Sequence, residues 1–335
     1  MEHLLVAIDQ GETKTDVIVL KCSGEICAYV TDKDFRNSMA NFDNNRYLFI
    51  YHSIQQAILE IHSSLDNVVY ILAAMCGADW QEDFVNMQNT LAKTLLFPKE
   101  KIIIVNDCIA ALRAGIPFRR DNDNYAVICA GTRLNCSLWS KDDMKYTYGR
   151  FINIEDHGAY AIGQHIWSGI IDSYNGFQSS TILEAKLLQF YNKKSLADLY
   201  ASFTCNNIVF NPSKFAHLLV EAIKCNDKVS INIMNTIAHR WVQYIVRGLS
   251  KVALTHESKF TVILTGGVLQ NYESPFIERI KYELKNYCPN ATCVVASLKP
   301  VVGAAILVLE EYHKDKLDIN IEKRFTDSLI YKRIL

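Results

Sequence analysis

No excess of basic residues, no membrane-length apolar run and no Cys-x-x-Cys spacing occur in this chain of 335 residues. Lys and Arg number 35 against 36 Asp and Glu, for a formal net charge of -1. That balance offers no duplex-binding surface and argues against polyanion binding as the main role. The apolar run over residues 301–309 is far short of the ~20 residues that span a bilayer. Residues 4–8 are apolar but meet Asp9 at once, too short and too acidic a start for a secretory signal. Most of the ten cysteines lie inside apolar runs, where Cys behaves as a small hydrophobe. No Pro-, Gly- or Ser-rich linker and no low-complexity tract appears. Apolar residues make up 50% and charged residues 21%, which excludes intrinsic disorder for the chain as a whole. The expectation is a soluble, cytoplasmic protein with reduced thiols that binds neither nucleic acid nor membrane. Its length predicts two domains at roughly 150 residues each.

The chain repeats itself. An apolar run over 4–8 leads into Asp9-Gln10-Gly11-Glu12-Thr13-Lys14-Thr15-Asp16, then a second run over 17–20 and a third over 26–30. This reads as strand, tight polar turn, strand, turn, strand. Residues 125–130 lead likewise into Gly131-Thr132-Arg133-Leu134-Asn135, followed by apolar runs over 136–139 and 146–148. Gly11 and Gly131 stand 120 positions apart. The echo continues in the strands 68–75 and 259–264, which end at Gly77 and at Thr265-Gly266-Gly267. Strands 101–105 and 292–296 are each followed by a helical run, over 109–114 and 302–311. Strands alternating with helices predict α/β layers in each half. Between these elements the second half carries an insertion, about 151–256, with helical periodicity over 158–173, 180–191, 212–225 and 229–256. The break between halves falls near 117–124, where the apolar pattern gives way to Phe-Arg-Arg-Asp-Asn-Asp-Asn.

A tight turn with Gly and Thr presents backbone N–H groups and a hydroxyl, which favour an anion. One such turn alone is equally a plain hairpin loop; two, in corresponding places, point to a polyphosphate gripped from both sides. Asp9 is placed to hold a metal ion through water. Asn106-Asp107 ends a strand and opens a helix, where ligands of open α/β sheets bind. A carboxylate there could take the proton of a substrate hydroxyl attacking a γ-phosphate, or simply cap the helix. Glu155-Asp156-His157-Gly158 could bind sugar hydroxyls or a metal, or form a solvated cap. Thr265-Gly266-Gly267 would let backbone approach a base or ribose, or serve only as a turn of positive φ.

Six pieces in order resemble the N-acetylglucosamine kinase / BadF-BadG-BcrA-BcrD ATPase family, within the wider actin-like sugar kinase and Hsp70 fold. They are Asp9-x-Gly11-x-Thr13-Lys14-Thr15-Asp16, Asn106-Asp107-x-x-Ala110-Ala111, Ala130-Gly131-Thr132, Asp156-x-Gly158-Ala159-Tyr160-x-Ile162-Gly163, Thr265-Gly266-Gly267 and Pro300-Val301-Val302-Gly303-Ala304. The resemblance implies two ribonuclease-H-like (actin-like ATPase) domains with a cleft between them, closing to exclude water, and a helical insertion in the second. It implies domains over 1–118 and 119–312, with a tail over 313–335 that could dock as a helix on the first domain. It implies ATP and Mg2+ as cofactors, a sugar substrate and a homodimer. Residue by residue, Asp9 would position Mg2+, and Gly11, Thr13 and Lys14 would form the first phosphate loop. Gly131, Thr132 and Arg133 would form the second, with Gly266 and Gly267 against the adenosine. Asp107 would be the general base, and Asn37, Asn106, Asp107 and Asp156 would contact the sugar. The implied activity is ATP-dependent phosphorylation of N-acetylglucosamine or a related amino sugar.

The chain also departs from the family pattern. Gln10 and Glu12 replace glycines of the first loop, and Arg133 and Leu134 replace a Gly-Ser pair in the second. His157 stands for a glutamate. These departures support an alternative: a catalytically degenerate relative that binds sugar or nucleotide as a sensor or partner. A third reading, an iron–sulfur ATPase activator, has only Cys129 and Cys136 beside the second loop in its favour and ranks last.

Overall fold

A computed structural model of the chain describes residues 3–11, 14–32, 42–118, 123–205, 208–270, 274–314 and 317–334. They group into two compact units: Met1–Asp123 with Thr147–Arg150 and Ala296–Leu335, and Asn124–Tyr146 with Phe151–Val295.

In the first unit, β1 (Leu4–Gln10), β2 (Thr15–Lys21), β3 (Ile26–Asp32), β4 (Val68–Met75) and β5 (Ile102–Asn106) form one sheet in the order β3-β2-β1-β4-β5. The β1–β2–β3 meander is antiparallel, and β4 and β5 add in parallel. Both faces of β1 are covered, which is why it reads as an unbroken apolar run. Leu4, Val6 and Ile8 pack with Ile50 and Ile54 of α1 (Phe42–Glu60) and with Met87 and Leu91 of α2 (Gln81–Leu95). Leu5 and Ala7, one pleat over, pack with Ala110 of α3 (Asp107–Gly115) and with residues beyond 300.

Those late residues differ from expectation. The resemblance puts residues 300–312 in the second domain, yet α10 (Pro300–His313) belongs to the first unit, burying Val301, Ala305 and Val308 with Leu5 and Ala7. The reason is fit: Gly303 lies against α3, where a Cβ would overlap the Ala110 carbonyl oxygen and come within 2.6 Å of the Ala114 nitrogen. Only a small-residue helix seats that closely. In the tail, α11 (Ile319–Tyr331) buries Ile321, Phe325 and Leu329 in the same core. Its Ser328 hydroxyl accepts from the Ile26 N–H of β3 at 2.9 Å.

The second unit repeats the sheet. Here β6 (Tyr125–Ala130), β7 (Leu134–Trp139), β8 (Lys145–Thr147), β9 (Phe260–Thr265) and β10 (Ala291–Val295) run β10-β9-β6-β7-β8. As in the first unit, the hairpin is antiparallel and the later strands are parallel. The two sheets thus share one strand order, and the fold is α/β with the doubled sheet of the actin-like ATPases. The insertion forms α4 (Gly158–Tyr174), α5 (Leu183–Tyr191), α6 (Leu196–Thr204), α7 (His217–Lys224) and α8 (Lys228–Gly248). Helix α6, capped by Ser195, was not anticipated, and α8 stops at Gly248 rather than reaching 256. After α8 a short 3-10 turn ends at Ala253 with φ 56, which helical periodicity cannot anticipate. Among the described residues no helix is long and apolar enough to cross a membrane.

Candidate active site

In the first unit, Asp9 is the next-to-last residue of β1, a strand buried along its whole length, and is paired in register with Asp16 of β2. The turn between them closes with the Gly11 N–H donating to the Lys14 carbonyl at 3.0 Å. Asp9 is only 6% exposed. Burial, then the Asp107 and Asp16 charges, push its pKa up to about 8, against the opposing pull of Lys14. Asp107, the first residue of α3, is half-buried. The strand ends therefore gather two carboxylates close enough to repel.

Lys14 pairs with Asp16, which also accepts hydrogen bonds from Thr31 Oγ1 at 2.6 Å and the Tyr29 hydroxyl at 3.2 Å. Burial pulls the ammonium pKa down, but Asp16 outweighs it and the net shift is upward. Flanking Asp9, the wholly buried Gln10 and Thr15 each leave a side-chain oxygen, Oε1 and Oγ1, with no hydrogen-bond partner. Those two oxygens and the Asp9 carboxylate are the kind of donor a hard cation takes. Thr13 and Asn37, two of the expected contacts, lie outside the described residues.

The Asn106 side chain is committed to the protein. Its Oδ1 accepts from the Cys108 N–H at 2.9 Å, capping α3, while Nδ2 donates to the Ala78 carbonyl and to Asp79. The cap reading of Asn106-Asp107 thus falls to Asn106. Asp79 carried no sequence signal, because the partners of its carboxylate, Asn106 and Arg150, lie 27 positions and more away.

In the second unit, the turn Gly131–Arg133 closes on itself, the Gly131 N–H donating to the Arg133 carbonyl at 2.9 Å. Thr132 and Arg133 are exposed. The turn rests on the start of α4: the Ala159 and Tyr160 N–H groups donate to the Gly131 and Thr132 carbonyls at 2.8 and 3.1 Å. A Cβ on Gly158 would collide with that backbone, coming within 2.8 Å of the Arg133 carbonyl oxygen. His157 completes the seat, its Nδ1 accepting from the Leu134 N–H at 3.3 Å. Burial, then the Arg133 charge, hold its pKa below the usual imidazole range, consistent with an accepting, neutral ring. Gly266 has φ 92 and packs on Ala130, so it is fixed by backbone geometry. A Cβ on Gly267 would meet nothing within 4 Å, which leaves room for a ligand.

Asp156 is drawn into an ion pair. Its oxygens accept from Arg240 Nε at 3.0 Å, Arg240 Nη2 at 2.8 Å and the Tyr244 hydroxyl at 2.7 Å. Trp241 Nε1 donates to its carbonyl at 2.8 Å, so α8 is tied to the approach to α4. Burial raises the carboxyl pKa, but Arg240 and Tyr244 outweigh it and leave it lowered. A depressed carboxyl contributes stability above its unfolded pKa and loses it as pH falls through the folded value. Asp156→Asn is therefore expected to cost about 1 kcal/mol at pH 7, discounted because Arg240 is half exposed. The gap to wild type in urea denaturation should close as pH falls below about 4. An equal gap at both pH values would refute the pairing.

No family model matches the chain. An N-acetyl-D-glucosamine kinase of Dictyostelium discoideum is 24% identical over 319 residues, spanning 92% of this chain and 98% of that protein. An N-acetylmuramic acid/N-acetylglucosamine kinase of Clostridium acetobutylicum is 24% identical over 314 residues, with the same 92% and 98% coverage. Among solved structures, a ROK family glucokinase from Streptomyces griseus, in complex with glucose and AMPPNP, superposes with a TM-score of 0.58. It is 14% identical, and the match covers 91% of this chain and 98% of that one. That likeness speaks to the fold.

Proposed function

This chain belongs to the sugar kinase family that includes the N-acetylglucosamine kinases, and on that premise we propose that it phosphorylates N-acetylglucosamine or a closely related amino sugar with Mg-ATP as donor. The observation that carries this reading is the Asp9–Asp107 pair, one carboxylate buried and driven up to about 8 partly by the other. Such a pair is costly when alone. A cation near the first and a hydroxyl proton near the second would each offset that negative charge.

In this reading Asp107 accepts the proton of a sugar hydroxyl while that oxygen bonds to the γ-phosphorus. The bond from that phosphorus to the β-bridging oxygen breaks, and ADP leaves. Asp9 would hold Mg2+, through water, and the ion would supply neutralising charge to the polyphosphate. Among the described residues no group of three or more His, Cys, Asp or Glu could hold a metal ion. Mg2+ keeps several of its waters and takes phosphate oxygens, so it asks for only one or two protein carboxylates. Gly11 and Lys14 would contact phosphate from the first turn, and Gly131, Thr132 and Arg133 from the second. Gly267 would lie against adenosine, with Gly266 shaping the turn. Asn106 and Asp156 serve this reading as residues that hold the site together, since their polar atoms are already engaged.

The AMPPNP bound by the Streptomyces griseus glucokinase supports ATP as the nucleotide. The test is ADP release from Mg-ATP across a panel of N-acetylated and free hexoses. Turnover is expected with N-acetylglucosamine or one near relative. Failure with every sugar, together with no rise in melting temperature on adding ATP, would overturn the kinase reading in favour of a non-catalytic relative.

A further inference from the structure

Beside Asp107 the first unit holds a second, unassigned constellation. Both Asn106 amide hydrogens are used by one segment: the Ala78 carbonyl takes one at 3.0 Å and Asp79 Oδ1 the other at 2.9 Å. Fixing the amide fixes which way Oδ1 points, and Oδ1 caps α3 through the Cys108 N–H at 2.9 Å. Asp107 sits between those two residues. Asp79 is itself held from the far side by Thr147–Arg150, a short segment that belongs to this unit. Arg150 Nε lies 3.5 Å from Asp79 Oδ2, and its guanidinium covers the Trp80 ring at 4.6 Å while pairing with Asp83 at 3.0 Å. Gly149, at φ 54, is pressed so close that a Cβ would come within 2.8 Å of the Asp79 Cβ.

A glycine forced by contact with one carboxylate, and that carboxylate aimed at the cap of a helix, form a chain of contacts ending at Asp107. We propose that Asp79, wedged by Gly149 and Arg150, is a positioning residue that orients Asp107 through the Asn106 cap. The inference rests on Asp107 being the base. A loosened cap lets the first turn of α3 shift, and even a displacement near 1 Å slows transfer steeply. Nucleotide binding should be untouched, because none of these contacts involves the phosphate turns.

The test is single-turnover transfer from Mg-ATP to N-acetylglucosamine, read with the KM for ATP and the melting temperature. Asp79→Ala should slow transfer about 10-fold or more with KM for ATP within about twofold. Asp79→Asn should recover most of the rate, since its amide oxygen still accepts from Asn106. Gly149→Ala should slow transfer too, but by less in an Asp79→Ala background, where the carboxylate is gone and only the Cβ contact and the positive φ remain. If Asp107→Asn is inactive while Asp79→Ala transfers at the wild-type rate, this inference alone falls. Equal rates for Asp79→Ala and Asp79→Asn, tracking a lowered melting temperature, would also overturn it by making Asp79 merely structural. If Asp107→Asn transfers normally, the base assignment falls and takes the inference with it.

Discussion

Asp107→Asn is expected to lower phosphoryl transfer by about 10^2- to 10^4-fold, the range a positioned general base contributes. The exchange keeps size and shape, so the fold should feel it little. Asp107 opens α3, where a carboxylate gains about 0.3–1 kcal/mol from the helix dipole. That small loss is offset by relief of the repulsion with Asp9, and the cap belongs to Asn106 and survives, so stability should change little. A second effect follows from charge. Asp107 is, after burial, the largest cause of the raised Asp9 pKa, so removing its charge should bring Asp9 down toward the ordinary carboxylate range. ATP should therefore bind with a KM close to wild type while kcat collapses. The check is ADP release with the preferred sugar, beside a urea denaturation curve. Turnover within about tenfold of wild type would mean that another group takes the proton.

What the sequence made legible was whatever depended on local pattern. The run over 4–8 announced a strand, and the spacing of Gly11 and Gly131 announced that the sheet occurs twice. Asn106-Asp107 stood out because strand end and helix start can be read from apolar periodicity. What stayed hidden depended on contacts between distant residues. Helix α10 is apolar nearly all round, so its pattern says that it is buried without saying against which sheet. Chain order suggested the second, and the close fit of Gly303 on Ala110 decided for the first. Asp156 looked like a ligand because nothing in 155–158 foretells Arg240 and Tyr244 on a helix that begins 70 residues later. His157 looked like a lost carboxylate, yet the imidazole accepts a backbone N–H that a carboxylate could also have taken. Asp79 had no periodicity to betray it at all.

Gly303→Ala is expected to destabilise the protein by about 3 kcal/mol, the upper part of the range for overpacking a core. The reason is the kind of atom in the way. A methyl on Gly303 would strike the Ala110 carbonyl oxygen and the Ala114 nitrogen, both backbone atoms of α3. A flexible side chain can rotate away, but a helix backbone must move as a body or break hydrogen bonds. Space elsewhere makes the contrast: a Cβ on Gly267 meets nothing within 4 Å, so Gly267→Ala should leave stability almost unchanged. Pushing α3 outward has a further cost, since Arg113 on that helix is 1% exposed and pairs with Glu310 of α10 at 2.5 Å. Separating the helices would stretch that pair and leave a buried guanidinium poorly compensated. Because α3 begins at Asp107, the same displacement should lower turnover in the protein that remains folded. The measurement is a thermal melt, with a drop on the order of 5–10 °C expected, paired with kcat on the folded fraction. A drop of under about 2 °C would mean that α3 and α10 slide apart at little cost. The close seating of the two helices would then no longer explain why the late helix packs in the first unit.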